Sequence, residues 1–113
     1  MPHKRKEDRD NYLAKNREHI KRLMWRGQLR RKFSVTEEQY DTLFKAQGGL
    51  CAICRQPETV VHNGQLRRLS LDHKHGTNVV RGLCCTGCNT GLGNFKENAA
   101  VLQAAIDYLA RYA

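Results

Sequence analysis

Two Cys-x-x-Cys pairs, CAIC at 51–54 and CTGC at 85–88, constrain this chain more than any other feature. Four thiolates so arranged can meet at one tetrahedral ion, and Zn²⁺ is the usual occupant because it accepts four sulfurs and has no redox chemistry. An iron–sulfur cluster could use the same ligands, whereas a redox dithiol would not need a second pair. The reading is a closed structural zinc site on Cys51, Cys54, Cys85 and Cys88. Cys84 lacks the two-residue spacing to Cys88 and is read as a small buried apolar residue.

Such a staple matters in a chain of 113 residues, because a domain of this size buries only about two-thirds of its unfolded surface. No apolar run approaches the roughly 18 residues of a membrane span, and MPHKRKEDRDNY is charged throughout rather than carrying the apolar core of a secretory signal. The expectation is a cytoplasmic protein with no membrane association, in a compartment where paired cysteines stay reduced and favour metal.

The net charge of +9 is unevenly spread. Residues 1–33 hold twelve Lys or Arg against four acids, a net of +8, and residues 34–113 hold eight against seven, a net of +1. A basic block of this kind is the footprint of a phosphate-backbone binder, with a solvated tail as the bland alternative. Residues 1–33 are read as a basic helical extension for DNA binding or dimerisation, and residues 34–113 as the zinc-stabilised domain.

Within the extension, NYLAKNREHIKRLMWRGQLRRKF lacks proline and reads as a long basic helix, interrupted or ended near Gly27, with Leu13, Ile20, Leu23 and Met24 on one stripe. Trp25 and Tyr12 could stack on bases or fill a core or dimer contact. VTEEQYDTLFKAQGG has a capping box at Thr36 and Gln39, a staple from Val35 to Tyr40, a face of Tyr40, Leu43 and Phe44, and a Gly48-Gly49 stop. VVHNGQLRRLSL reads as a hairpin turning at Asn63-Gly64, with Leu69, Leu71 and His73 on one face of the second strand and Ser70 and Asp72 on the other. A short helix follows the second cysteine pair. A closing helix capped by Asn98 would bury Val101, Leu102, Ala105, Ile106 and Leu109.

Between the cysteine pairs lies SLDHKHG, an acid and two histidines within four positions. If four cysteines satisfy the zinc, Asp72, His73 and His75 are free for other work, although a histidine could also replace a cysteine or merely brace a loop. Asn89 directly follows the last cysteine, at the start of a helix tethered to the same ion. A carboxylate and an amide carbonyl are hard oxygen ligands suited to Mg²⁺ or Mn²⁺, and a neighbouring imidazole can activate water.

With TEEQYDTLFKAQGGLCAIC, LDHKH and RGLCCTGCNTGLGNF in this order, the chain resembles the HNH or ββα-metal (His-Me finger) endonucleases, and most closely the recombination endonuclease VII group, over roughly residues 34–98. The resemblance implies an α+β fold with a small zinc-stabilised ββα-metal core and flanking helices. It also implies hydrolysis of phosphodiester bonds in double-stranded or branched DNA, with Asp72 and Asn89 on the catalytic Mg²⁺ or Mn²⁺, His73 as general base and His75 assisting. Products would carry 5′-phosphate and 3′-hydroxyl ends, and the group's intertwined dimers make a homodimer an expectation. Two departures are Lys74, where the group often has an acid, and a chain shorter than its junction resolvases. DNA contact is expected from the basic extension with Arg67, Arg68, Lys74 and Arg81, while His3, His19 and His62 receive no role. The rival from another class is a non-catalytic zinc-containing DNA-binding accessory protein, in which Asp72 and His73 are structural.

Overall fold

A computed structural model describes residues 5–113, so His3 and the first four residues of the basic extension lie outside the described residues. The chain divides into two compact units, Met1–Tyr40 and Asp41–Ala113, with the boundary inside one helix.

In the first unit, helix α1 (Lys6–Lys15) is followed after one residue by α2 (Arg17–Phe33). The expected break near Gly27 is absent, since α2 runs through it, and the interruption falls at Asn16. The physical reason is local competition. The Asn16 side-chain amide donates to the Tyr12 carbonyl at 2.8 Å, the group its own backbone N–H also uses, whereas a glycine in a helix interior costs only about 1 kcal/mol relative to alanine. Of the apolar stripe, Leu13, Leu23 and Met24 are exposed and Ile20 is half-buried, while the buried residue of α2 is Leu29. Ser34 closes α2 in a left-handed conformation, its N–H donating to the Arg30 carbonyl.

Helix α3 (Glu37–Ala46) begins as the sequence predicts. The Gln39 N–H donates to Thr36 Oγ1 at 3.1 Å while the Thr36 N–H donates to Gln39 Oε1 at 2.9 Å, a reciprocal capping box. Val35 and Tyr40 are both buried, and Trp25 meets the Tyr40 ring edge-on at 5.0 Å, so Trp25 is a packing residue of this unit. Glu37 bridges Arg22 and Arg26 at 2.8 and 3.2 Å.

In the second unit α3 stops at Gly48 and Gly49, both with positive φ, and the Gly49 N–H returns to the Phe44 carbonyl. Gln47 at that stop acts as a substitute strand. Its Oε1 accepts from the Leu83 N–H at 2.9 Å, and its amide donates to the carbonyls of Leu83 and Leu50. Strands β1 (Val61–His62) and β2 (Gln65–Leu66) pair antiparallel across Asn63 and Gly64, whose φ values of 52° and 76° make the tight turn that Asn-Gly favours. This hairpin is only two residues long on each arm and exposed.

The second strand of the expected hairpin does not continue into LSLDH. Strand β3 (Ser70–His73) pairs instead with β4 (Val80–Cys84), antiparallel, with Leu71 opposite Leu83 and Asp72 opposite Gly82. Between Asp72 and His73 the register slips, because His73 faces Val80 and leaves Arg81 as the extra residue of a bulge. Helix α4 (Thr86–Asn94) follows β4 and packs against β3. The core of this unit gathers there, with Cys51, Leu69, Leu71, Leu83 and Cys84 buried.

Helix α5 (Ala99–Arg111) is capped as expected, Asn98 Oδ1 accepting from the Val101 N–H at 3.1 Å. Its buried face is not as expected, since Val101, Ile106 and Leu109 are exposed and Leu102 and Ala105 are half-buried. Helical periodicity fixes which residues share a face, but not whether another element covers it. Among the described residues no helix is long and apolar enough to cross a membrane.

Candidate metal and hydrolytic site

The sulfurs of Cys51, Cys54, Cys85 and Cys88 all lie within 4.8 Å of one another, with Cys54 and Cys85 3.8 Å apart. Zn–S bonds of about 2.3 Å in a tetrahedron give S–S edges of about 3.8 Å, so the cluster fits one zinc ion closed by four cysteines. Backbone geometry prepares the sulfurs for the charge. The Ile53 N–H donates to Cys51 Sγ and the Cys88 N–H to Cys85 Sγ, each at 3.4 Å.

Burial opposes ionisation of Cys51, but the N–H groups of Cys85, Cys54 and Ile53 outweigh it and bring the thiol down to about 6. Burial, and then the neighbouring sulfurs, push Cys88 up to about 12. Four sulfurs this close cannot all carry charge without a cation, and a dication removes the conflict. Cys84 is not one of the four clustered cysteines: it is buried in β4, and burial followed by the charge of Asp72 lifts its thiol to about 11.

The two knuckles are also joined by a residue that the sequence reading passed over. Glu58 is buried, and its carboxylate accepts from the Thr86 N–H at 2.7 Å, the Thr86 hydroxyl at 3.1 Å and the Val60 N–H at 3.1 Å. It thereby caps α4, where a carboxylate faces the positive end of the helix. Burial raises its pKa, yet these donors prevail and hold it below the usual carboxylate range. A depressed folded-state pKa contributes stability above the unfolded value of about 4.3 that is lost as pH falls through the folded one. Glu58→Gln should therefore destabilise the protein by roughly 1–3 kcal/mol at pH 7. The difference from wild type should shrink below about pH 4, as read from denaturant melts at both pH values.

Asp72 and His73 end β3, and Asn89 lies on α4, which packs against that strand. Asp72 is buried, His73 half-buried and Asn89 exposed on the first turns of its helix. His75 and Lys74 are exposed in the β3–β4 loop, which is built by Lys74 N–H to Val79 carbonyl at 2.8 Å and Thr77 Oγ1 to Lys74 carbonyl at 2.8 Å. Arg67 and Arg68 are exposed between β2 and β3.

Arg81 is differently placed. Its Nε and Nη2 donate to Asp72 Oδ2 and Oδ1 at 2.7 and 2.9 Å, a bidentate pair, and Nη2 also donates to Glu97 Oε1 at 2.6 Å. The Asp72 hydrogen bond, then Glu97, raise the guanidinium's pKa further above its ordinary value. The sequence offered no sign of this pairing or of Glu97, which sits beyond α4 in a left-handed conformation at φ 53°. As a cation ligand Asp72 has the right chemistry and Asn89 brings a neutral oxygen. Both Asp72 oxygens are engaged by Arg81, so the donor chemistry fits a divalent ion once that pair opens.

The family model described as recombination endonuclease VII matches residues 26–111. A protein named Gene 59 protein from Mycobacterium phage D29 is 42% identical over 86 residues, covering 75% of this chain and 49% of that protein. Its namesake from Mycobacterium phage L5 is 37% identical over the same length and shares. The chain thus spans about half the length of the curated relatives it matches. No solved structure matches it. A match across most of its length, through both cysteine pairs and the Asp-His strand, places this chain in the recombination endonuclease VII family.

Proposed function

We propose that the protein is a metal-dependent DNA endonuclease of the HNH, or ββα-metal, class. The observation that carries the reading is the packing of α4, with Asn89, against β3, with Asp72 and His73, beside a four-cysteine cluster that joins the chain on either side of them. Zinc in that cluster is structural, because four sulfurs leave no open position.

The chemistry follows from the side chains. His73 takes a proton from the attacking water, and its place at the end of β3 sets it next to Asp72. Asp72 and Asn89 hold the divalent ion, Mg²⁺ or Mn²⁺, which supplies electrostatic stabilisation of the charge that develops on the phosphate. His75 and Lys74, exposed in the adjoining loop, meet the phosphate backbone with Arg67 and Arg68, contacts that position DNA without reading its sequence. The uncovered apolar residues of α5 suit a second copy of the chain, which would give a homodimer able to cut both strands of branched DNA.

A second reading has its own observation. Arg81 holds both oxygens of Asp72, as a structural corner would, and this favours a non-catalytic zinc-containing DNA-binding protein.

Incubation of labelled plain duplex, nicked duplex and four-way junction with the protein, in Mg²⁺ or in EDTA, separates the two. The endonuclease cuts in Mg²⁺ alone, binds with an affinity that falls steeply with salt, and has a dimer mass by light scattering. Salt-insensitive binding contradicts phosphate recognition, and a monomer mass removes the dimer.

A further inference from the structure

A guanidinium occupies the carboxylate that an incoming cation would need. Arg81 is the bulged residue of β4, and the bulge is what aims it at Asp72 on the facing strand. The pair is bidentate, with Asp72 almost enclosed and Arg81 two-fifths exposed. A second carboxylate, Glu97, accepts from the same Nη2 nitrogen at 2.6 Å. Glu97 is presented by a turn in which Lys96 and Glu97 both have positive φ, a conformation uncommon for residues other than glycine. Two carboxylates and one guanidinium leave this cluster with one negative charge in excess, and both acids lie within reach of the same cation.

From this we infer that Arg81 is a positioning residue that competes with the divalent ion for Asp72, and that Glu97 is the acceptor onto which it is retained when the ion binds. The inference rests on the reading of Asp72 as an ion ligand. In the ion-free protein the guanidinium neutralises Asp72 and keeps its carboxylate aimed. On ion binding the two bonds to Asp72 are given up and the guanidinium turns its fork onto Glu97, where one bond becomes two, so Glu97 favours the released state and Arg81 stays beside the site as a cation. The apparent ion affinity is then the intrinsic affinity multiplied by the fraction of molecules in which Asp72 is released. A purely structural ion pair predicts the opposite sign, because losing Arg81 would loosen Asp72 and weaken any ion it holds.

Mn²⁺ is the probe, titrated into the zinc-loaded full chain and followed by loss of the free-ion EPR signal, which needs no DNA and no turnover. Arg81→Gln should bind Mn²⁺ on the order of five- to tenfold more tightly than wild type, since a partly exposed bidentate pair withholds most but not all of the Asp72 population. Arg81→Lys, which keeps the charge but loses the fork, should fall between them. Glu97→Gln should bind several-fold more weakly than wild type, and this effect should vanish in the Arg81→Gln background, whereas a simple loss of negative charge would persist there. Equal or weaker Mn²⁺ binding by Arg81→Gln overturns the competition, and if Arg81→Gln loses zinc the Arg81→Lys comparison decides it, since Mn²⁺ binding no tighter than wild type in that variant overturns it too. Mn²⁺ binding that survives Asp72→Asn, or is absent from every variant, overturns the ion-site reading itself.

Discussion

Stripping the four-cysteine cluster of its ion, or replacing Cys88 with serine, should abolish the cooperative fold of residues 41–113. The hydrophobic residues buried there are few, namely Cys51, Leu69, Leu71, Leu83 and Cys84, and one of them is itself a ligand. The strands are short, in two separate two-stranded sheets, and isolated pairs of that kind are marginal in water. Zinc bound by a structural site contributes about 10–16 kcal/mol in small peptides, against the 5–15 kcal/mol total stability typical of a domain. Removal of the ion therefore exceeds what the remaining contacts can offset. Chelation followed by circular dichroism and zinc analysis should show loss of structure in step with loss of metal, with recovery on adding Zn²⁺. A chelated protein that keeps a sharp thermal transition contradicts a structural role for the cluster.

His73→Ala should leave the fold and the zinc in place but lower single-turnover DNA cleavage by roughly 10²–10⁴-fold, the range that a positioned general base contributes. The side chain is half-buried at the end of β3, one residue from Asp72, so truncation removes little packing. His75→Ala, in the exposed loop beyond it, should cost much less if its role is assistance. Cleavage by His73→Ala within a few-fold of wild type would remove His73 from the mechanism.

What could be read in advance from the residues was local. The Thr36–Gln39 capping box, the Asn63-Gly64 turn and the Asn98 cap each depend on neighbours within a few positions, and each forms. The four cysteines are far apart in sequence, yet metal geometry links them, and they converge. Gln47 and Glu58 escaped notice because their partners, Leu83 and Thr86, lie 36 and 28 residues away and no spacing rule joins an amide or a carboxylate to a particular backbone group. Arg81 was read by its charge as a DNA contact, and only the slipped register of β4 turns it onto Asp72. On α5 the amphipathic pattern is real, but exposure of Ile106 and Leu109 shows that pattern alone does not supply a covering surface.

The most direct test of a hydrolytic site on Asp72, His73 and Asn89 is to start the reaction with the ion. Zinc-loaded protein is bound to a labelled four-way junction in metal-free buffer, then Mg²⁺ is added and the strands are resolved on a denaturing gel. Strand scission that begins with Mg²⁺, leaves 5′-phosphate ends and is prevented by excess EDTA is the predicted result. DNA that remains bound and intact in Mg²⁺ and in Mn²⁺ would contradict it, and would make Asp72 and His73 a structural corner held by Arg81.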